Sequence, residues 1–318
     1  MNEIKYEPYD SKKLPRYEGI RSFMRLPIVE EMPEGLDFAI VGVPLDGAST
    51  FETGQRMAPF AIRSASVNCR GRHPDIEVDL FPTLKGADFG DAKMLPGYIE
   101  ECYENIEAKV DEVYKAGAVP FCLGGDHADT LPILRSAAKA HGKMALVHFD
   151  AHYDNNKDYF GKKYNHATWV YWGVQEGLIA PAHAIQVGMR GPCFITDRQQ
   201  SIDMGIETIT MWELREMGIK ECARRIKERV GDMKVFCSFD IDFLDPAFAP
   251  GTGTIEPGGP TSAEVFELIK CMKEMDMVGM DLVEVLPCKD PSGITSTLAA
   301  YIIFDYLAMM AWRKQNQK

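Results

Sequence analysis

Six apolar runs of strand length recur along the chain: 38-FAIVGV-43, 119-VPFCLG-124, 144-MALVHF-149, 184-AIQVGM-189, 234-KVFCSF-239 and 278-VGMDLVEV-285. Between them, residues 99–117, 130–140, 213–230 and 262–275 carry apolar side chains every three or four positions, the spacing of amphipathic helices. Strands alternating with helices build a parallel sheet covered on both faces. The pattern therefore predicts an α/β protein of three layers, α/β/α, around a central, mostly parallel sheet. The apolar 298-LAAYIIFDYLAMMAW-312 is interrupted by Asp305 and reads as a buried C-terminal helix. No repeat or break in composition marks a linker, so residues 1–318 are expected to form a single domain, with 1–35 an irregular N-terminal arm.

In such sheets the working residues lie beyond the carboxyl ends of the strands. Polar residues follow the apolar runs at those points. The third run leads into 147-VHFDAHYDNN-156, which sets Asp150, His152 and Asp154 at two-residue intervals; in an extended segment those side chains point to one side. The second run leads into 124-GGDH-127, which contains His127, and the fifth into 240-DIDFLDP-246, which contains Asp240 and Asp242, while the sixth contains Glu284. A single Asp or His after a strand ordinarily caps a helix or forms a turn, and His148, Asp126 and Asp245 are read that way. Four aspartates and two histidines gathered at one end of a sheet serve no such purpose, because clustered carboxylates repel. Their four negative charges match two divalent cations. An oxygen-rich set with two imidazoles suits Mn²⁺ better than Zn²⁺, with Ni²⁺, Co²⁺ and Fe²⁺ left open. Two neighbouring ions lower the pKa of a shared water, which points to metal-assisted hydrolysis.

Composition narrows the partners. The 318 residues are 46% hydrophobic, enough for a substantial core, and the net charge of −12 argues against nucleic acid, whose phosphates need a basic surface. A small cationic substrate meets no such obstacle. The eight cysteines are scattered without a C-x-x-C pair, as suits a reducing compartment. The start MNEIKYEPYDSKK has no apolar leader and no run reaches about 18 apolar residues, so neither secretion nor a membrane span is expected and the cytoplasm is the expected location.

The motifs 124-GGDH-127, 149-FDAHYD-154 and 238-SFDIDFLDPAFAPGTGT-254, with 256-EPGG-259, together resemble the ureohydrolases, the arginase and agmatinase superfamily. The likeness runs from 40-IVGVPLDGAS-49 to 281-DLVEVLP-287, and 42-GVPLDGASTFETGQRMAPFAIR-63 is most similar to agmatinase. The resemblance implies an arginase-like fold and two Mn²⁺ per subunit. It implies that His127, Asp150, Asp154 and Asp240 hold the more buried ion and that Asp150, His152, Asp240 and Asp242 hold the second, with Asp150 and Asp240 shared. It further implies that Glu284 pairs with a substrate guanidinium and that His166, in 165-NHATW-169, passes a proton to the leaving amine. The substrate class so implied is a small cationic guanidino compound, agmatine foremost, cleaved to putrescine and urea. 4-Guanidinobutyrate, 3-guanidinopropionate, arginine and guanidine stay open as alternatives, and a guanidino acid such as 4-guanidinobutyrate in particular, because Asn156 stands where arginases carry a carboxylate-binding Asn. Arg190 would also serve a carboxylate, although a structural role suits it better, and packing within a helix suits Trp169, Tyr171 and Trp172 better than a place at the substrate mouth. Tyr153, Asn155 and Ala167 depart from the agmatinase pattern and are expected on the substrate side. A homotrimer or homohexamer is the implied assembly. Two rivals are a single-Zn²⁺ deacetylase of the same fold, for which His127 and Asp242 are superfluous, and a non-catalytic relative, in which ligands are typically lost.

Overall fold

The computed structural model describes residues 5–316; the first four residues of the expected N-terminal arm lie outside them. The strands are β1 (Phe38–Gly42), β2 (Arg72–His73), β3 (Val78–Asp79), β4 (Gly86–Asp91), β5 (Val119–Leu123), β6 (Met144–Phe149), β7 (Ile179–Met189), β8 (Glu207–Thr210), β9 (Val235–Asp240) and β10 (Met277–Val283). Eight of them form one sheet in the order β4-β1-β5-β10-β9-β6-β7-β8, parallel at each pairing, while β2 and β3 pair as a small antiparallel ribbon. Helices Ile99–Lys115, Thr130–His141 and Trp169–Gln175 contribute to the apolar cluster on one face, and Ala58–Ser66, Ile219–Val230, Ser262–Cys271 and Ile294–Asn316 to the other. Buried on both faces, the central strands read as continuous apolar runs, which is why they stand out in the sequence.

The expected three-layer α/β/α architecture is thus present, with three departures in detail. β4 and β8 are additional strands at the two edges of the sheet. The helix expected over 213–230 is two, Met211–Met217 and Ile219–Val230, because Gly218 adopts φ 78° and ends the first. The N-terminal arm has little regular structure, yet Phe23, Met24 and Leu26 are buried in the core. The C-terminal helix, Ile294–Asn316, is long and apolar enough to cross a membrane by length and composition. It packs against helices Ala58–Ser66 and Ser262–Cys271, and Asp305 is buried with its Oδ1 3.0 Å from His73 Nε2. Because His73 Nδ1 accepts from the Ile76 amide, Nε2 carries the proton that Asp305 receives.

Register places the site. Across the middle of the sheet, Asp281 of β10 lies opposite Ser238 of β9, Ser238 opposite His148 of β6, and His148 opposite Gln186 of β7. This buried polar row lies one to three residues before the ends of the strands, and His148 and Ser238 stand two positions before Asp150 and Asp240, so in extended backbone each shares a face with the aspartate that follows it.

Candidate active site

β6 delivers Asp150 and β9 delivers Asp240 at their carboxyl ends, while the β5 loop brings His127 in a single helical turn (His127–Asp129). The segment after β6 is not extended as its spacing suggested: the strand stops at Phe149 and Asp154 sits at φ 48°. Asp242 likewise lies in a 3-10 turn (Ile241–Phe243). The side chains still converge, because a turning loop can aim donors at one centre where a straight strand would spread them along a line. His127 Nδ1 lies 3.1 Å from Asp150 Oδ2, 3.0 Å from Asp154 Oδ2 and 3.2 Å from Asp240 Oδ2. His152 Nδ1 lies 3.3 Å from Asp150 Oδ1 and 3.0 Å from Asp242 Oδ2. The structure therefore brings His127, Asp150, His152, Asp154, Asp240 and Asp242 together, and each oxygen of Asp150 serves a different histidine.

The row beneath identifies what the upper cluster can hold. Ser238 Oγ donates to Asp281 Oδ1 at 2.7 Å, so it accepts from His127 Nε2 at 2.8 Å and the imidazole proton sits on Nε2. Nδ1 then points a lone pair toward the carboxylate oxygens, and this buried atom has no hydrogen-bond partner. A lone pair facing anionic oxygens is repulsive unless a positive charge lies among them. In the metal-free protein burial opposes a second proton on the ring, but Asp150, Asp154 and Asp240 push the His127 pKa well above its ordinary value, and a bound cation would take the place of that proton. Oxygen donors with one imidazole nitrogen at each centre fit hard or borderline divalent ions. Burial, with Asp242 and Asp150 adjacent, pushes the Asp240 carboxyl well above its ordinary range. Burial also works against ionised Asp150, but His148, His127 and His152 outweigh it and hold Asp150 low.

His148, read from the sequence as an ordinary capping or turn residue, instead lies within β6, where it bonds Asp150 Oδ2 at 2.8 Å through Nε2 while Gln186 Nε2 meets its Nδ1 at 3.0 Å. The available signal was its position two residues before Asp150 on one strand face. Asp126 and Asp245 accept backbone amides as ordinary capping residues do, Asp126 from Ala48 and Ala128, Asp245 from Ala247 and Gly258. Trp169 lies in a helix, fully buried and away from the cleft, as do Tyr171 and Trp172 to lesser degrees. It also donates from Nε1 to Asp154 Oδ2 at 3.1 Å, with its rings 4.9 Å from His127 and 4.8 Å from His148. Replacing Trp169 by phenylalanine keeps most of the packing and removes the donor. The expected result is a fall of about 10- to 100-fold in divalent-ion affinity, read by calorimetric titration of the metal-free protein; unchanged affinity would show that the bond to Asp154 is idle.

The cleft beside the cluster is lined by His166, Glu284 and Asn156. Glu284 follows β10 at φ 63°, a strained conformation for a non-glycine residue and one that tends to mark functional positions. Its Oε1 accepts from the His127 amide at 2.9 Å and from His166 Nδ1 at 2.9 Å. Burial would raise the Glu284 carboxyl, but His166 and the His127 amide hold it below its ordinary range. The Thr50 amide donates to His166 Nε2 at 3.0 Å, so the proton facing Glu284 is on Nδ1. When the ring takes a second proton, Thr50 Oγ1, 2.8 Å away, is its acceptor. Burial disfavours that second proton, yet Glu284, with Asp154 and Asp126, pushes the His166 pKa up to about 9.

Tyr153 and Ala167 line the cleft as expected, but Asn155 does not. It is fully buried and donates from Nδ2 to Asp197 O and Ser201 Oγ, both at 2.7 Å, because the loop turns it into the helix Asp197–Asp203. Arg190 reaches the cleft, but its guanidinium is spent on backbone carbonyls: Nε on Glu256, Nη1 on Gly188 and Phe243, Nη2 on Asp242, Leu244 and Glu256.

Comparison with known proteins agrees with this geometry. A family profile described as "Arginase family" matches residues 36–309. The chain is 38% identical over 315 residues to proclavaminate amidinohydrolase of Streptomyces clavuligerus, covering 98% of this chain and 99% of that one. The solved structure of proclavaminate amidinohydrolase superimposes with a TM-score of 0.89, covering 94% of this chain and all of the other. Guanidinobutyrase of Pseudomonas aeruginosa is 38% identical over 313 residues, 98% of each chain. An agmatinase of Salmonella paratyphi B is 39% identical over 295 residues, 92% of this chain and 94% of its own.

Proposed function

The chain belongs to the arginase family of guanidino-hydrolysing ureohydrolases, and from that premise we propose that its substrate is agmatine, which it cleaves with two bound Mn²⁺ to putrescine and urea. His127, Asp150, Asp154 and Asp240 would hold one ion, and Asp150, His152, Asp240 and Asp242 the other. When bound, the ions supply an acidified water as nucleophile and Lewis-acid stabilisation of the charge that develops on the guanidino group. The protein's own side chains do the rest. Glu284 presents a carboxylate to the planar guanidinium, the partner suited to side-on pairing, and so fixes the carbon in line for attack. His166 lies beside that carboxylate with a proton on Nδ1, and delivers a proton to the nitrogen that departs as the amine.

The observation that carries agmatine over a guanidino acid is the charge of the cleft. Two bound divalent ions would offset Asp150, Asp154, Asp240 and Asp242, and Glu284 takes the guanidinium, which leaves Asp197 and Glu256 as the remaining carboxylates of the lining; among the described residues that lining includes no lysine and a single arginine, Arg190, whose five N–H groups are already engaged. A terminal ammonium suits such a mouth. A terminal carboxylate would be buried among acids without a cationic partner. One feature favours a second reading, a guanidino acid such as 4-guanidinobutyrate: Asn156 lines the cleft and its Nδ2 makes only a long 3.4 Å bond to Ala167 O, leaving a donor to offer.

Urea release from agmatine, 4-guanidinobutyrate, 3-guanidinopropionate, arginine and guanidine tests both. We expect kcat/KM for agmatine to exceed that for 4-guanidinobutyrate by at least about tenfold, the equivalent of one mispaired charge-assisted contact. The reverse order transfers the assignment to a guanidino acid. No urea from any of the five ends it.

A further inference from the structure

Gln55 opens a short turn (Gln55–Met57) after Gly54 and is fully buried, 0% exposed. Its Nε2 donates to Glu52 O at 3.0 Å and to Glu284 Oε2 at 2.9 Å. Both partners are acceptors, so the amide can be oriented only with its NH₂ toward them. Its carbonyl Oε1 is then left buried with no partner. An unpartnered buried carbonyl is costly and calls for a reason. The reason lies in the count of positions on Glu284.

A carboxylate offers four lone-pair positions, two on each oxygen. On Glu284 the His127 amide and His166 Nδ1 occupy both on Oε1, and Gln55 occupies one on Oε2. Side-on pairing with a guanidinium needs one position on each oxygen. Oε2 has it free. Oε1 gains it only when a donor withdraws, and His166, 14% exposed on a loop, is freer to move than a backbone amide. Gln55 is therefore the side chain that fixes the plane of the carboxylate while His166 comes and goes.

We propose that Gln55 is a positioning residue for guanidinium capture, holding Glu284 Oε2 so that its open lone pair faces the cleft. This rests on the assignment of Glu284 as the guanidinium partner. Gln55→Met keeps the volume and loses the donor. In the metal-loaded protein it is expected to weaken calorimetric binding of methylguanidine, which carries the head group alone, by about tenfold, and to raise KM by about the same factor with kcat within about twofold. Ion affinity should not change. A role merely in folding would depress ion affinity together with methylguanidine binding, and that result overturns the proposal, as does unaltered methylguanidine binding. If Gln55→Met does not fold, Gln55→Asn, which withdraws the amide by one methylene, carries the same test with the same outcomes. Glu284→Gln separates the two levels: if it abolishes methylguanidine binding while Gln55→Met leaves it intact, only the role of Gln55 falls. If Glu284→Gln binds methylguanidine normally, the assignment of Glu284 falls with it.

Discussion

Asp150→Ala is expected to abolish urea release and to strip the protein of its divalent ions. Asp150 Oδ2 lies against His127 Nδ1 and Oδ1 against His152 Nδ1, at 3.1 and 3.3 Å, so this one side chain contributes to both halves of the cluster. No neighbour can replace it. Asp154 and Asp240 approach His127, and Asp242 approaches His152, so each of these carboxylates meets one histidine of the cluster where Asp150 meets both. Loss of Lewis-acid stabilisation worth several kcal/mol translates into a fall in kcat of at least about a thousandfold. Because ions bound to the native state and not to the unfolded chain raise stability, added Mn²⁺ should also raise the melting temperature of the wild type and not that of the variant. Metal analysis of the purified variant decides the matter: two ions per chain, retained through dialysis, would refute the assignment of Asp150 as shared.

That these six side chains gather at one place was readable from the sequence, whereas the way they meet was not. Asp150 directly follows β6 and Asp240 ends β9, and a chain that buries those strands has no choice about where these residues emerge; His127 comes four residues after the end of β5, in the loop that leaves it. The even spacing of Asp150, His152 and Asp154 suggested an extended segment, but Asp154 lies in the left-handed region, which no pattern of apolar residues encodes. The edge strands escaped notice for a related reason. β4 is GADFGD, with two glycines and two aspartates, and β8 is only ETIT. At the sheet edges neither needs the apolar run that burial between two helical layers imposes on the centre. Gln55 and Thr50 were invisible because their roles depend on a loop folding back onto residues more than a hundred positions away. That approach is tight: Gly125 has no room for a Cβ, which would collide with the Leu45 carbonyl.

Glu284→Gln tests the other half of the chemistry, since it should leave both ions in place and remove the grip on the guanidinium. The substitution conserves shape, but three N–H groups converge on this carboxylate, from His127, His166 and Gln55. An amide can accept from the first two through its oxygen. Its NH₂ must then face the NH₂ of Gln55, which can turn away only by giving up Glu52 O. Substrate meets a neutral, misoriented group in place of an anion. Two charge-assisted hydrogen bonds weakened together amount to about 3 kcal/mol, a loss in kcat/KM of roughly a hundredfold or more. The metal-free protein supplies an independent reading. Its His166 is raised from 6.5 to about 9, burial opposing and Glu284 the main favourable cause. A raised pKa contributes stability that is present in full below pH 6.5 and is lost as the pH climbs through about 9. The melting temperature of Glu284→Gln should therefore lie below that of the wild type at pH 6, and the gap should close above pH 9 as His166 loses its proton in both. A gap that is constant across that range would mean that His166 and Glu284 do not share a charge, and the path by which His166 receives its proton would have to be sought elsewhere in the cleft.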